Sequence, residues 1–333
     1  MNLIVIGGNR LNEESPFKEI LSLRDFKNIK ITILTSKLNL NKPTGYNSNF
    51  KKFLKNKKIQ FTEVFSNKNI FNELKKILKK EKNLYLLLIY CTFIIDKKII
   101  NLFKNKVFNY HVGLLPEQRG GAATTWQTMS GTKKSALTIH KVVPGIDKGD
   151  VILENKINIQ QKDSLGKFYN KVVKLENNFF LKFIKIINKK LKIKKQNIKE
   201  SIYMPRLDTE VHSFINWNWN GEEIHQFIKS FDTPFKGART FIEGKKIILK
   251  SSKLEKKLNK FHPFQSGIIF RKYKNFYYIA CKKYSIKVKF ILDKDGKKIN
   301  KKIIGKRLHT PNKFLEKALI SKAIHLPKGI TIK

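Results

Sequence analysis

"LYLLLIYCTFII", residues 84–95, is the longest apolar run in a lysine-rich chain, and its reading decides the architecture. It falls well short of the roughly 20 apolar residues that cross a bilayer, so no membrane insertion is expected. It reads instead as a strand buried on both faces of a sheet. Upstream, "NLIVIGG" from Asn2 reads as a first buried strand ending in glycines. "SPFKEILSLRDF" follows as a helix with a Ser cap and Pro in its first turn, and "NIKITILTS" as a second strand. A Lys- and Asn-rich loop holding "NKPTGYNSN" comes next, then the amphipathic helix "NIFNELKKILKKEK". Downstream of the apolar run stand a short helix, "DKKIINLFKN", and another strand, "VFNYHV". Strands that alternate with helices predict an α/β fold with a Rossmann-like, doubly wound, mostly parallel sheet covered on both faces. In such sheets, sites gather beyond the carboxyl ends of the strands.

The second half of the chain changes period. "DSLGKFYNKVVKLENNFFLKFIKIINKK" has an Asp start and sustained helical spacing, and reads as the last helix of the first domain. "LKIKKQNIKESIYMPR" is a charged, low-complexity connection that puts a boundary near residue 200. Past it, "NGEEIHQFIKSF" is a short helix. "RTFIEGKKIILKSS", "SGIIFRKYKNFYYIAC" and "SIKVKFILD" alternate and turn as antiparallel strands do. Residues 1–200 and 201–333 are thus expected to form an α/β domain and a smaller, mainly β domain.

Composition bounds the function less sharply. The 333 residues, with 41% hydrophobic and 11% aromatic content, suit two folded domains. The start "MNLIVIGGNR" lacks the basic flank and cleavage site of a signal peptide. Cys91 and Cys281, the only cysteines, match no metal spacing. No disulfide or metal is expected, and a reducing cytoplasm is the natural compartment. The formal charge of +45 invites a nucleic-acid reading. Yet the basic residues are overwhelmingly Lys, spread along the chain among abundant Asn and Ile, as an A- and T-biased genome would produce. Arg, the better fork for phosphates and bases, is scarce. The charge does not choose a partner.

Chemistry concentrates in "FNYHVGLLPEQRGG", residues 108–121. Asn109 and His111 lie two apart on a strand end, so both project to one face. An Asn amide donates or accepts, and an imidazole exchanges a proton near neutral pH. Downstream, "VVPGIDKGD" offers Asp147 in a turn-rich segment. A carboxylate beside a His orients the ring and favours imidazolium. Asn109, His111 and Asp147 together suit acyl transfer to an amine: the amide stabilises an oxyanion and the imidazole handles the amine's proton. No Ser or Cys is placed as a nucleophile, so direct transfer is the economical route. Each residue also has a plainer reading: a turn Asn, a satisfied strand-end His, an Asx-turn Asp. Arg119 and the paired glycines read mainly as loop architecture. "VIGGNR" does not complete a phosphate-binding G-x-G-x-x-G and reads as a strand-to-helix turn.

"NYHVGLLP", "QRGGAATTWQ", "LTIH" and "PGIDKGDVI", in this order and spacing, resemble the formyltransferases that use 10-formyltetrahydrofolate. The resemblance covers roughly residues 80–175. It implies a formyl-transferring enzyme in which Asn109 polarises the formyl oxygen, His111 is the general acid/base, and Asp147 is its carboxylate partner. It further implies folate contacts from Phe93, Ile94 and Ile95, from Gly121, and from Val143, Pro144, Gly145 and Ile146, with "LIYCTFII" supplying a flat apolar slot for the pteridine. Gly113 stands where the family usually has Ser, a position that shapes the loop. "INWNWNGEEIHQFIKSFDTPFKGARTFIEGKKI" resembles the family's C-terminal, OB-like module.

Two branches share such a catalytic domain. One acts on amino sugars linked to nucleotides and the other on methionyl-tRNA. The start lacks the G-T-P-E-F-A of the tRNA branch, and "SLGKFYNKVVKLENNFF" lacks its L-G-A-x-L pattern. "YMPRLDTEVHSFINW" is closer to sugar-type relatives, in which Y-x-P-R precedes the module. The resemblance therefore favours a nucleotide-linked amino sugar as acceptor. The +45 charge and the basic loop "NKPTGYNSNFKKFLKNKK" are what speak for tRNA. A catalytically inactive folate- or sugar-nucleotide-binding module is a third reading, and a homodimer is left open.

Overall fold

In the computed structural model, residues 2–8, 29–44, 48–104, 106–189, 191–258, 260–299, 302–326 and 329–333 are described. The helix expected at "SPFKEILSLRDF" lies outside the described residues. Seven strands form the first sheet: β1 (Asn2–Gly7), β2 (Lys30–Thr35), β3 (Phe61–Glu63), β4 (Leu84–Ile89), β5 (Val107–Val112), β6 (Lys134–Lys141) and β7 (Val151–Asn158). Their order is β7-β6-β5-β4-β1-β2-β3. The pairs from β5 through β4, β1 and β2 to β3 are parallel, whereas β6 and β7 join as antiparallel neighbours. The chain leaves β1 towards one edge and β4 towards the other, so a crevice opens beyond the ends of these two adjacent strands.

Both faces are covered, as the consecutive apolar residues of β1 and β4 require. On one face, helix α5 (Leu165–Ile187) lays Phe168, Val172, Phe179, Phe180 and Phe183 against Phe108, Tyr110, Leu137 and Ile139. The other face carries α2 (Asn67–Lys80) and α3 (Lys97–Leu102) through Ile70, Leu74 and Ile99, over Ile4, Ile6, Leu86, Leu88 and Val107. Each such side chain contributes about 1.5–3 kcal/mol by leaving water. Helix α5 is capped by Ser164, whose side chain accepts from the Lys167 amide at 3.3 Å. The expected Asp start is corrected by one residue: Asp163 accepts from the Gln160 amide and pairs with Lys171 at 2.5 Å. The expected basic loop after β2 contains a helix, α1 (Phe50–Asn56), that buries Phe50, Phe53 and Leu54.

The second sheet is antiparallel throughout: β8 (Ala238–Ile242), β9 (Lys245–Glu255), β10 (Ile269–Tyr273), β11 (Phe276–Ala280), β12 (Ser285–Leu292) and β13 (Leu308–His309), ordered β10-β11-β12-β9-β8-β13. Helix α6 (Gly221–Ser230), started by an Asn220–Glu223 capping box, seals it with Ile224, Phe227 and Ile228. The linking segment is more than a spacer. Tyr203–Met204 pairs in parallel with Arg119–Gly120, and the Trp126 indole of helix α4 (Ala123–Met129) donates to the Pro205 carbonyl at 2.8 Å. The segment is strapped across the first sheet's loops. Among the described residues no helix is long and apolar enough to cross a membrane.

Candidate active site

Residues of β5 alternate between the two faces. Phe108, Tyr110 and Val112 enter the α5 core, while Val107 starts the opposite face beside Ile99 and Leu86. On that second face Asn109 and His111 follow Val107, and the neighbouring strand places His140 opposite Asn109 and Thr138 opposite His111. Apolar covering thus gives way to a polar cluster on one face near the ends of β4 and β5.

Asp147 reaches this cluster from the β6–β7 connection. Its Oδ2 lies 3.6 Å from His111 Nδ1, and its Oδ1 lies 3.3 Å from His140 Nε2. The Asn109 amide donates towards Asp147 Oδ1 at 3.3 Å and lies 3.1 Å from His140 Nε2. All three sequence-designated side chains therefore meet, with His140 as a fourth member. His111 Nε2–H donates to the Gln118 carbonyl at 2.6 Å. With Nε2–H on that carbonyl, the neutral ring keeps Nδ1 as its proton acceptor, on the side that faces the Asp147 carboxylate. His140 Nδ1–H donates to the Lys141 carbonyl at 2.7 Å, which leaves Nε2 to accept from the Asn109 amide. The Asn109 amide has two hydrogens, and Asp147 Oδ1 and His140 Nε2 are the two acceptors within their reach.

The position of Asp147 is fixed from several directions. Its backbone has a left-handed φ of 51°, a conformation that costs a non-glycine residue energy and persists only when the surroundings impose it. The Gly120 amide donates to its Oδ2 at 2.8 Å, and Gln196 Nε2 donates to its carbonyl at 2.9 Å. Arg119 holds the adjoining turn, donating through Nε and Nη2 to the Ile146 carbonyl at 2.9 and 2.6 Å, and also donates to Ser201. Burial pushes the Asp147 carboxyl up, but the His111 and His140 imidazoles and the Gly120 amide outweigh it and hold the group far below the usual carboxylate range. The result is a fixed negative charge against two imidazoles.

Gly113 also has a physical role. A Cβ there would lie 2.7 Å from His111 Nε2 and 2.8 Å from the Gln118 carbonyl. The missing side chain lets the ring rest on that carbonyl.

The residues expected to contact folate surround the cluster. Phe93, Ile95 and Val142 each pack against the α2/α3 core. Ile94 is 76% exposed, and Val143 and Ile146 are each 37% exposed. Pro144 and Gly145 are exposed and Gly121 is half-buried. Large apolar side chains left open beside a buried polar cluster suit a ligand with an apolar ring. Sequence reasoning gave no role to His140, although "LTIH" was among the matching motifs, or to Gln196 and Ser201, which lie in the apparent linker.

An amide donor, an imidazole and a fixed carboxylate, with apolar loops alongside, make an acyl-transfer constellation. The family model for formyl transferase matches residues 18–184, and that for the formyl transferase C-terminal domain matches residues 209–307. The chain belongs to the formyl transferase family. It is 28% identical over 189 residues to methionyl-tRNA formyltransferase of Clostridium tetani, covering 56% of this chain and 60% of that protein. The chain thus spans under two thirds of that relative's length. It is 30% identical over 290 residues to the bifunctional polymyxin resistance protein ArnA of Wigglesworthia glossinidia brevipalpis, covering 81% of this chain and 42% of that protein. Among solved structures, the sugar 3N-formyl transferase WlaRD, with dTDP and 5-N-formyl-THF, superposes with a TM-score of 0.63 at 19% identity. The match covers 90% of this chain and 98% of that one. The N-formyltransferase of Helicobacter canadensis, with folinic acid and dTDP-3-aminofucose, gives a TM-score of 0.65 at 19% identity, covering 86% and 98%. At that identity these two likenesses speak to the fold.

Proposed function

We propose that this formyl transferase family member moves the formyl group of 10-formyltetrahydrofolate to the primary amine of a nucleotide-linked amino sugar. The observation that carries the reading is the convergence of Asn109, His111 and Asp147 beside the exposed apolar loops. Ile94, Val143 and Ile146 hold the pteridine, and Phe93, Ile95, Gly121, Pro144 and Gly145 shape the slot. The Asn109 amide turns one hydrogen from its Asp147 and His140 partners to the formyl oxygen as the amine nitrogen attacks the formyl carbon. His111 accepts the proton that the amine loses, and Asp147 stabilises the imidazolium. As the carbon–N10 bond breaks, His111 returns that proton to N10. The products are the formamide and tetrahydrofolate, so atoms and protons balance.

Two observations support the sugar acceptor. Sugar N-formyltransferase structures share the fold over 86–90% of this chain, their amino-sugar substrates being those of the same architecture. "YMPR" also forms the strap beside the site, where it can meet an acceptor. One feature favours methionyl-tRNA instead. A basic and aromatic row crosses the second sheet, with Arg271 4.0 Å over the Tyr278 ring and Lys287 and Lys253 on adjacent strands. Side-by-side assays with dTDP-linked 3-amino and 4-amino sugars and with methionyl initiator tRNA separate the readings. Formylation of the sugars supports the proposal, and formylation of tRNA alone refutes it.

A further inference from the structure

Two irregular loops meet at the catalytic cluster, and one stretch of the linking segment binds both. The loop after β5 carries the Gln118 carbonyl that accepts from His111 Nε2 and the Gly120 amide that donates to Asp147 Oδ2. The β6–β7 connection carries Asp147 itself, between Gly145, at a φ of 105°, and Gly149. Gly149 has its back against β6: a Cβ there would lie 1.8 Å from the Lys141 carbonyl.

Residues 194–204 close the other side of both loops. At one end Lys194 and Val151, the first residue of β7, exchange two backbone hydrogen bonds of 2.9 Å. At the other end Ile202 N–H donates to the Pro116 carbonyl at 3.2 Å, and the Arg119 and Gly121 amides donate to the Ile202 and Met204 carbonyls at 3.1 Å. Between these anchors two side chains reach towards the Asp147 turn. Gln196 Nε2 spends both hydrogens there, on the Asp147 carbonyl at 2.9 Å and the Gly149 carbonyl at 2.6 Å. Ser201 Oγ accepts from Arg119 Nη1, and the same guanidinium holds the Ile146 carbonyl through Nε and Nη2. The carbonyls of Ile146, Asp147 and Gly149 are thus all committed to donors in the strap or fixed by it. These bonds supply the surroundings that the left-handed backbone of Asp147 requires. The distance they set matters to the chemistry: Asp147 Oδ2 stands 3.6 Å from His111 Nδ1, and a misplacement of about 1 Å can cost about 10²-fold in rate.

We infer that Gln196 and Ser201 are positioning residues for formyl transfer, which hold Asp147 against His111 through the backbone of residues 146–149. This rests on the formyl-transfer reading above. Gln196 holds the turn directly and Ser201 holds it through the Arg119 guanidinium, so the linker belongs to the site although it adds no member to the cluster.

Initial rates with 10-formyltetrahydrofolate and a dTDP-linked amino sugar, together with imidazole NMR of the substrate-free full chain, test the assignment. Gln196→Met keeps the side chain's length and loses its donors. It is expected to lower kcat about tenfold or more and to leave both KM values unchanged. Gln196→Glu, which sets a carboxylate against two carbonyls, should lower kcat at least as far. Ser201→Ala should lower it by a smaller factor, and Ser201→Thr, which keeps the hydroxyl, should restore the wild-type rate. In the impaired variants the His111 ring signals should move, while those of His225, in α6 of the second domain, stay in place. Lys199→Met, at an exposed position of the same stretch, is the control and should change neither readout. An unchanged kcat and unchanged His111 signals in Gln196→Met, with a lowered melting temperature, overturn the assignment, because the bonds then only stitch a loop. Equal loss in Lys199→Met overturns it too. The NMR measurement needs no acceptor, so the two readings fail separately. If no sugar is formylated while the His111 signals move in Gln196→Met, the sugar reading is wrong and the positioning role stands. If Gln196→Met formylates sugars at the wild-type rate, the positioning role is wrong and the proposed function stands.

Discussion

Asp147 and Arg239 are both buried charges in this molecule, one beside each sheet, and their surroundings differ in kind. Arg239, in β8 and 3% exposed, donates to the Thr209 carbonyl and to Ser213 Oγ, and pairs with Glu210 at 2.6 Å. Its partners are acceptors with no proton to trade at neutral pH. Nearby, Phe214, Phe241 and Phe314 stack into a closed aromatic group. Asp147 faces two imidazoles and an amide, next to apolar loops that remain open. Burial of a charge alone therefore says little about function. What distinguishes the first site is proton-carrying partners and an entrance.

The sharpest way to break the comparison is to remove the proton carrier. His111→Ala is expected to lower kcat by about 10²–10⁴-fold, with the melting temperature nearly unchanged. A fall in stability with turnover retained would make the cluster a structural network like that of Arg239. Asp147→Asn is expected to cost about 10²-fold in kcat, and it carries a stability signature as well. The Asp147 carboxyl is depressed in the folded state, so its contribution is present above the unfolded value of about 3.9 and is lost as pH falls towards the folded value. Acid unfolding curves should show the wild type losing stability below about pH 4, and the Asn variant losing less. Arg239→Met should do the opposite of His111→Ala. It should lower unfolding free energy by about 2 kcal/mol and leave kcat/KM unchanged, as denaturant titration and initial rates will show.

The smallest effect concerns Lys42. Because its folded value lies at about 8 and the unfolded one near 10.4, the unfolded chain binds more protons between these values. Stability should therefore rise with pH across that window. The groups facing Lys42 do not confuse the reading, since Arg206 stays charged and burial pushes the Cys91 thiol up to about 11. Lys42→Met should flatten that dependence.

How much of this was legible in the sequence follows from the range of the interactions. Asn109 and His111 share a face because they are two residues apart in a strand, a purely local rule. The parallel sheet followed from apolar runs separated by helical spacing, and the second sheet from alternation. His140 was not legible as a site residue. A histidine inside "ALTIHK" reads like any strand residue, and only the antiparallel register sets it against Asn109. The strap was hidden for a related reason. "IKESIYMPR" is charged and short of apolar residues, yet two backbone pairs with Arg119–Gly120 and the Trp126–Pro205 bond fix it. Lys42 was lost among the lysines of its loop. Composition cannot mark which lysine is drawn out of water beside Arg206.

The central claim is that the cluster transfers formyl directly from folate to an amine. Its most direct test is tetrahydrofolate release from 10-formyltetrahydrofolate, followed with and without a dTDP-linked amino sugar, for the wild type and His111→Ala. The account predicts release only with the amine, matched one to one by formamide product, and its near loss in the variant. Release without an amine, or full turnover by His111→Ala, would contradict it.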